Sequence, residues 1–188
     1  MSENSFEVVN VVGTGRLPTE LAISALKEDL SGIVSENDTP QPGLHLKFVE
    51  DGPLATFYRS GKYIIRAPSK SKLQQMNNDL KSEIGRLKLM NPQYNTDFQI
   101  KNVVAVGKLD IEHIDLPTLV IGLGLEYSEY EPEQFPALTY RNSKYPCTFL
   151  IFANGKVVMA GGKSVTKTRE AYTEFITTEL DLWLDFDN

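Results

Sequence analysis

Apolar residues change their spacing along this chain, and they do so twice in the same order. A short β-branched run at residues 8–12 has the character of a strand. Leu21, Ile23, Ala25, Leu26 and Leu30 then recur at helical spacing, with Pro18 placed to suit a first helical turn. Three strands follow at residues 44–49, 54–58 and 63–66, separated by the turns Glu50-Asp51-Gly52-Pro53 and Arg59-Ser60-Gly61-Lys62. A long amphipathic stripe closes the series, with Leu73, Met76, Leu80, Ile84 and Leu87 at steps of three and four. The second pass begins with a strand at 100–106. Asp115 is placed to cap a helix that runs to Leu125, in which Gly122 and Gly124 weaken the helix or mark tight packing. Strands at 137–141, 147–152 and 157–160 come next, the last two joined by Asn154-Gly155, a strong hairpin signal. Ala171 and Phe175, then Ile176 and Leu180, form the closing stripe.

The recurrence extends to residue identities. Phe6-Glu7-Val8-Val9-Asn10-Val11-Val12 returns 92 positions later as Phe98-Gln99-Ile100-Lys101-Asn102-Val103-Val104. Pro42-Gly43-Leu44 returns as Pro136-Ala137-Leu138, and Ser60-Gly61-Lys62 as Asn154-Gly155-Lys156, each 94 positions on. Two copies of one unit, residues 1–92 and 93–188, make a duplicated domain rather than a solenoid. The connections between strands are too short for parallel crossovers, so the sheet is antiparallel. The expected fold class is α+β: two pseudo-symmetric repeats forming one curved antiparallel sheet, a saddle, with helices on the convex face. Thr148-Phe149-Leu150-Ile151-Phe152 and Val157-Val158-Met159 keep apolar residues on both faces. A strand covered on one side only would then leave an exposed apolar surface, the mark of an interaction site.

Charge sharpens this picture. The 188 residues carry 19 Lys and Arg against 25 Asp and Glu, a net charge of −6. That sum alone argues against nucleic acid. Its distribution argues the other way: acids crowd the helix flanks and the C-terminus (Glu126, Glu129, Asp181, Asp185, Asp187), whereas Lys47, Arg59, Lys62, Arg66, Arg141, Lys144, Lys156 and Lys163 punctuate the strands. Cys147 stands alone, and His45 and His113 are too few for a metal pair, so no cofactor or metal is expected. Gly161-Gly162-Lys163-Ser164 is only a fragment of a phosphate loop, with no upstream glycine at the required spacing. No catalytic constellation is present, so an enzyme is not expected. No apolar run has the length of a membrane span and the first residues lack a signal sequence, which fits a cytoplasmic protein.

The stretch Tyr130-Glu131-Pro132-Glu133-Gln134-Phe135-Pro136-Ala137-Leu138-Thr139-Tyr140-Arg141, followed by Phe149-Leu150-Ile151-Phe152-Ala153-Asn154-Gly155-Lys156-Val157-Val158, resembles the second repeat of the TATA-box-binding proteins. Gly122-Leu123-Gly124-Leu125-Glu126 resembles their archaeal, halophilic branch. The resemblance covers nearly the whole chain, strongly in repeat two and weakly in repeat one. It implies a general transcription initiation factor that binds and bends A/T-rich promoter DNA through the minor groove. Phe135 and Phe152 match the residues that wedge between base pairs. Such unstacking costs on the order of a few kcal/mol per step, a magnitude already attached to minor-groove architectural proteins, this family among them. Asn10 and Asn102 match central asparagines that bond to groove acceptors. Val12, Ile64, Val104, Leu150 and Val158 match apolar contacts, and Lys47, Lys62, Arg141, Lys156 and Lys163 match positions that meet phosphates. Glu131 and Glu133 match the loop that contacts transcription factor B, through which the RNA polymerase machinery is reached indirectly.

Repeat one departs from the pattern. Gln41 stands where Phe135 does, Tyr58 where Phe152 does, and Arg66 opposite Ala160. Glutamine cannot act as an apolar wedge, tyrosine can still press on a base, and an arginine can enter a narrow minor groove. An alternative reading follows, in which the saddle is an interaction module that binds transcription factors with weak or altered DNA binding. A homodimer that hides its concave faces when free is a further option.

Overall fold

The computed structural model describes residues 5–36, 43–91 and 93–184. Gln41, the loop at 37–40, Pro92, Asp185 and Asp187 therefore lie outside the described residues. The elements of the first repeat are β1 (Ser5–Arg16), α1 (Ile23–Asp29), β2 (Ile33–Glu36), β3 (Leu44–Lys47), β4 (Leu54–Phe57), β5 (Lys62–Ala67) and α2 (Lys70–Arg86). Those of the second are β6 (Gln99–Lys108), α3 (Leu116–Leu123), β7 (Ser128–Glu129), β8 (Ala137–Tyr140), β9 (Thr148–Phe152), β10 (Lys156–Gly162) and α4 (Val165–Phe175); a π-helical turn (Ile176–Leu180) leads into α5 (Asp181–Leu184).

The chain packs as two compact units: Asn10–Lys101, and the residues up to Val9 together with those from Asn102 onward. They are called here the repeat-one and repeat-two units; their boundaries fall inside β1 and β6. In the repeat-one unit the strands pair antiparallel in the order β2-β3-β4-β5-β1. In the repeat-two unit the order is β6-β10-β9-β8-β7, again antiparallel. Side chains alternate across each strand, and burial follows that alternation. In β9, Phe149 and Ile151 are buried while Thr148, Leu150 and Phe152 are partly exposed. The buried face packs on helices, with α2 against β5, α4 against β10, and α3 against β7 and β8. Leu73, Met76, Leu80 and Ile84 of α2 are all buried, as are Ala171, Phe175, Ile176 and Leu180, so these stripe positions are core, whereas Leu87, the last of the first stripe, caps α2 and is only partly buried.

The helix starts show what sequence spacing can and cannot fix. Ser69 and Ser164 cap α2 and α4, accepting from the backbone N of Lys72 (3.3 Å) and Lys167 (3.4 Å). Asp115 caps α3 as its position predicts, and the helix stops at Leu123 because Gly124 turns away at φ +89°. The first helix is shorter than its apolar spacing predicts. Leu17 N donates to Gly61 O (2.9 Å) and Leu21 N to Arg59 O (2.9 Å), so the stretch around Pro18 is tied to the β4–β5 hairpin and not wound into α1. Strands β2 and β7 carry too few apolar residues to show in the sequence, although both extend their sheets.

Each unit solves one packing problem with a ring from a different element. In the repeat-one unit Tyr63 of β5 lies against Gly15, where a β-carbon would collide with its ring, and stacks on Phe98 at 5.9 Å. Its hydroxyl donates to Asn77 Oδ1 (2.8 Å) and accepts from the Thr96 hydroxyl (2.9 Å). In the repeat-two unit the residue matching Tyr63 is Val157, and the ring comes from Tyr172 of α4 instead. It lies against Gly107, again where a β-carbon would collide, and tilts on Phe6 at 5.9 Å. Tyr172 matches Asn77, counted from the two capping serines. Its buried hydroxyl has no hydrogen-bond partner among the described residues, and burial pushes its pKa up to about 12.

Candidate nucleic-acid interface

Strand alternation puts a second set of residues on the face away from the helices, and the strand register orders them into rows. In the repeat-two unit one row reads Thr139, Leu150, Val158, Val106 across β8, β9, β10 and β6. A second reads Ala137, Phe152, and a third begins Thr148, Ala160. Asn102 and Val104 continue the alternation along β6, both partly exposed. The floor of this surface is thus apolar, with one amide near the end of β6.

Its rim is aromatic and cationic. Phe135, 42% exposed, meets Phe152 edge-on at 6.1 Å between centroids. Packing against another ring holds each in place while leaving the pair open to solvent. The Lys156 ammonium lies 5.5 Å from the Phe152 ring centre. Arg141 is exposed, and its Nε donates to Thr148 Oγ1 at 3.3 Å. Lys163 is exposed just beyond β10. Glu131 and Glu133 are exposed in the loop before Phe135. Glu131 O accepts from the backbone N of Gln134 and Phe135 (both 2.9 Å), and its carboxylate accepts from the Gln134 amide. This short turn holds Phe135 and the carboxylates together at the tip.

The repeat-one unit has the same lattice with other side chains. One row reads His45, Thr56, Ile64, Thr14 across β3, β4, β5 and β1. The next reads Leu54, Arg66, Val12. Asn10, Val12 and Thr14 are each partly exposed along β1. Tyr58 is half-buried in the β4–β5 turn, Lys62 is exposed, and Lys47 Nζ donates to Glu50 O at 2.9 Å. Burial and the nearby Arg66 charge hold the His45 imidazole below its usual pKa. The sequence reading missed His45, Thr14, Val106, Thr139 and Thr148 on these faces, while Thr56 of the same row is buried; period-two counting outward from Asn10 and Asn102 along the strands would have found Thr14 and Val106.

Among the described residues there is no cluster of three or more metal-ligating side chains, and no helix is long and apolar enough to cross a membrane. On the face away from the helices, the described residues of both units place an amide, apolar positions and cations. The chain belongs to the family described as transcription factor TFIID, or TATA-binding protein, whose model matches residues 5–86 and again 97–178. That family consists of transcription factors, not enzymes. TATA-box-binding protein C of Halobacterium salinarum is 43% identical over 171 residues, covering 90% of this chain and 94% of that one. The TATA-box-binding protein of Haloarcula marismortui is 34% identical over 185 residues, covering 97% of each. The solved structure of the Methanococcus jannaschii TBP is 29% identical and superposes with a TM-score of 0.75 over 94% of this chain and 99% of that one. The α+β antiparallel fold with two repeats, read from the sequence, is the fold of this family.

Proposed function

We propose that this protein is a general transcription initiation factor that binds A/T-rich promoter DNA in the minor groove, bends it, and recruits transcription factor B. The Phe135–Phe152 pair carries the reading. Two rings braced edge-on at the rim of an open apolar face are suited to enter a base step from the shallow groove. Asn102 supplies donors for the acceptors that A·T pairs present there. Leu150, Val104 and Val158 contact the opened groove floor, and Arg141, Lys156 and Lys163 meet the flanking phosphates. In repeat one, Asn10, Val12, Tyr58, Ile64, Arg66, Lys47 and Lys62 supply the corresponding contacts. Glu131 and Glu133 at the tip beside Phe135 present carboxylates to transcription factor B, and the polymerase is reached through that factor. Residues 1–92 and 93–188 are the two DNA-binding halves in this reading, and the protein works in the cytoplasm with the chromosome.

Changing Phe135 and Phe152 together to Ala tests it. Electrophoretic bend analysis on a TATA duplex should show the kink at their end lost, with protein still bound at raised concentration. Unchanged bending in the double variant defeats the wedge assignment. If transcription factor B binds while no A/T-rich duplex does, the protein is instead an interaction module.

A further inference from the structure

The two sheet faces of this chain are built on one lattice and differ in chemistry. Where the repeat-two unit places Thr139, Leu150, Val158 and Val106 in a row, the repeat-one unit places His45, Thr56, Ile64 and Thr14. Two apolar positions have become threonines, of which Thr14 is partly exposed and Thr56 is buried, and a threonine has become an imidazole. Beside that row Ala160 is replaced by Arg66, seated between Leu54 and Val12 in mid-sheet and exposed. Arg66 is exposed and makes no hydrogen bond or ion pair with a described residue. It lies two residues along β5 from Ile64, whose row holds His45 two strands away. The aromatic rim is altered too: Tyr58 has no ring neighbour among the described residues, whereas Phe152 is braced by Phe135.

These differences change what the face can grip. An apolar floor with a braced ring pair favours a groove that has been pried open. A guanidinium with an imidazole near it and an accessible hydroxyl on the same face favours the opposite. An A-tract keeps its minor groove narrow and stiff, which concentrates negative potential and attracts Arg and His, whereas TA steps kink readily. The Thr14 hydroxyl and the His45 imidazole also suit the N3 and O2 acceptors of A·T pairs better than methyl groups do.

Resting on the DNA-binding reading above, we propose that the repeat-one unit selects an unkinked A-tract, with Arg66 as its specificity-determining residue. A duplex with an A-tract at one end and alternating TATA steps at the other is then held in one orientation, although both ends contain only A·T pairs. Arg66 inserts into the narrow half, and the Phe135–Phe152 pair opens the flexible half.

The test places a cutting reagent on one unit. Ser60 is exposed in the β4–β5 turn beside Tyr58, and a Ser60→Cys protein can carry an iron chelate there. The native Cys147 is buried, and that burial pushes its thiol pKa up to about 11, so it resists labelling at neutral pH. On a duplex with six consecutive adenines at one end and TATATA at the other, hydroxyl-radical cutting should favour the adenine run. The excess should be on the order of fivefold or more, the scale of one specific side-chain discrimination. Adding Arg66→Ala should level the two ends while the duplex is still retained. Equal cutting by the Arg66 protein, or an excess at the alternating end, overturns the inference and leaves DNA binding intact. So does an excess that survives Arg66→Ala. Failure to retain any A/T-rich duplex defeats the underlying DNA-binding reading instead.

Discussion

Tyr63 and Tyr172 do equivalent packing work with opposite hydrogen-bonding outcomes, and this makes single atoms testable. Tyr63→Phe leaves the buried Asn77 without its donor and Thr96 without its acceptor, which should lower stability by about 1–3 kcal/mol. Tyr172→Phe removes a buried hydroxyl that has no partner among the described residues, so it should be neutral within about 0.5 kcal/mol or stabilising. Urea midpoints of the two variants check both statements; an equal loss would mean that both hydroxyls are satisfied. Side-chain identity was legible in the sequence where a motif held it, as at Phe135 and Phe152. The exchange of Tyr63 and Asn77 for Val157 and Tyr172 was not. Each member alone is an ordinary core or helix residue, and only the fold shows that their rings occupy equivalent places over Gly15 and Gly107.

Helix α1 has seven residues and no side-chain cap at its start, so its own hydrogen bonding is marginal. A carboxylate on α2 holds the far end in place. Glu83 accepts from Ser31 N (2.6 Å) and Ser31 Oγ (2.7 Å), and from Arg86 Nε (3.0 Å) and Nη2 (2.8 Å), while Arg86 Nη2 also donates to Asp29 O (2.7 Å). The Arg86 hydrogen bonds above all, helped by Ser31 and opposed by burial, lower the Glu83 pKa from 4.5 to about 2. A carboxylate depressed on folding adds stability at pH values above its unfolded pKa, and that stability is lost as pH falls towards the folded value. Stability should therefore decline as pH drops from 4.5 towards 2, and Glu83→Gln should flatten that part of the profile while lowering stability at pH 7. Denaturation series at several acidic pH values measure it; an unaltered acid slope in the variant would remove Glu83 from the account. The place where α1 begins was obscured for a related reason. Pro18 and the apolar spacing satisfy helical rules locally, yet the backbone bonds to Gly61 and Arg59 lie some forty residues away in the chain and leave no local trace. Strongly periodic α2 and the Asn154-Gly155 hairpin, whose signals are local, were readable.

For the whole molecule, charge placement outweighs charge sum. Six cations lie on or beside the open faces (Lys47, Lys62, Arg66, Arg141, Lys156, Lys163), against a net charge of −6. Six neutralised phosphates in a basic protein would give a log–log salt slope of about −5. If the DNA-binding reading holds and the carboxylates elsewhere on this chain take up cations as DNA approaches, the slope should be much shallower, near zero or even positive in potassium chloride. Equilibrium binding across a salt series decides it, and a slope near −5 would show that the acidic surface plays no part. The duplication itself was the most legible property, because identity, order and spacing all repeat. It also carries a hazard, since a chain holding the same motif twice can assemble one copy's strands with the other copy's helix. The exchanged tyrosines guard against that error. A hybrid of β5 with α4 would bring two rings to a space built for one, and a hybrid of β10 with α2 would bring none and leave a void. Neither chimera can close a tight interior, so each half rejects its sibling's parts before the native arrangement is reached.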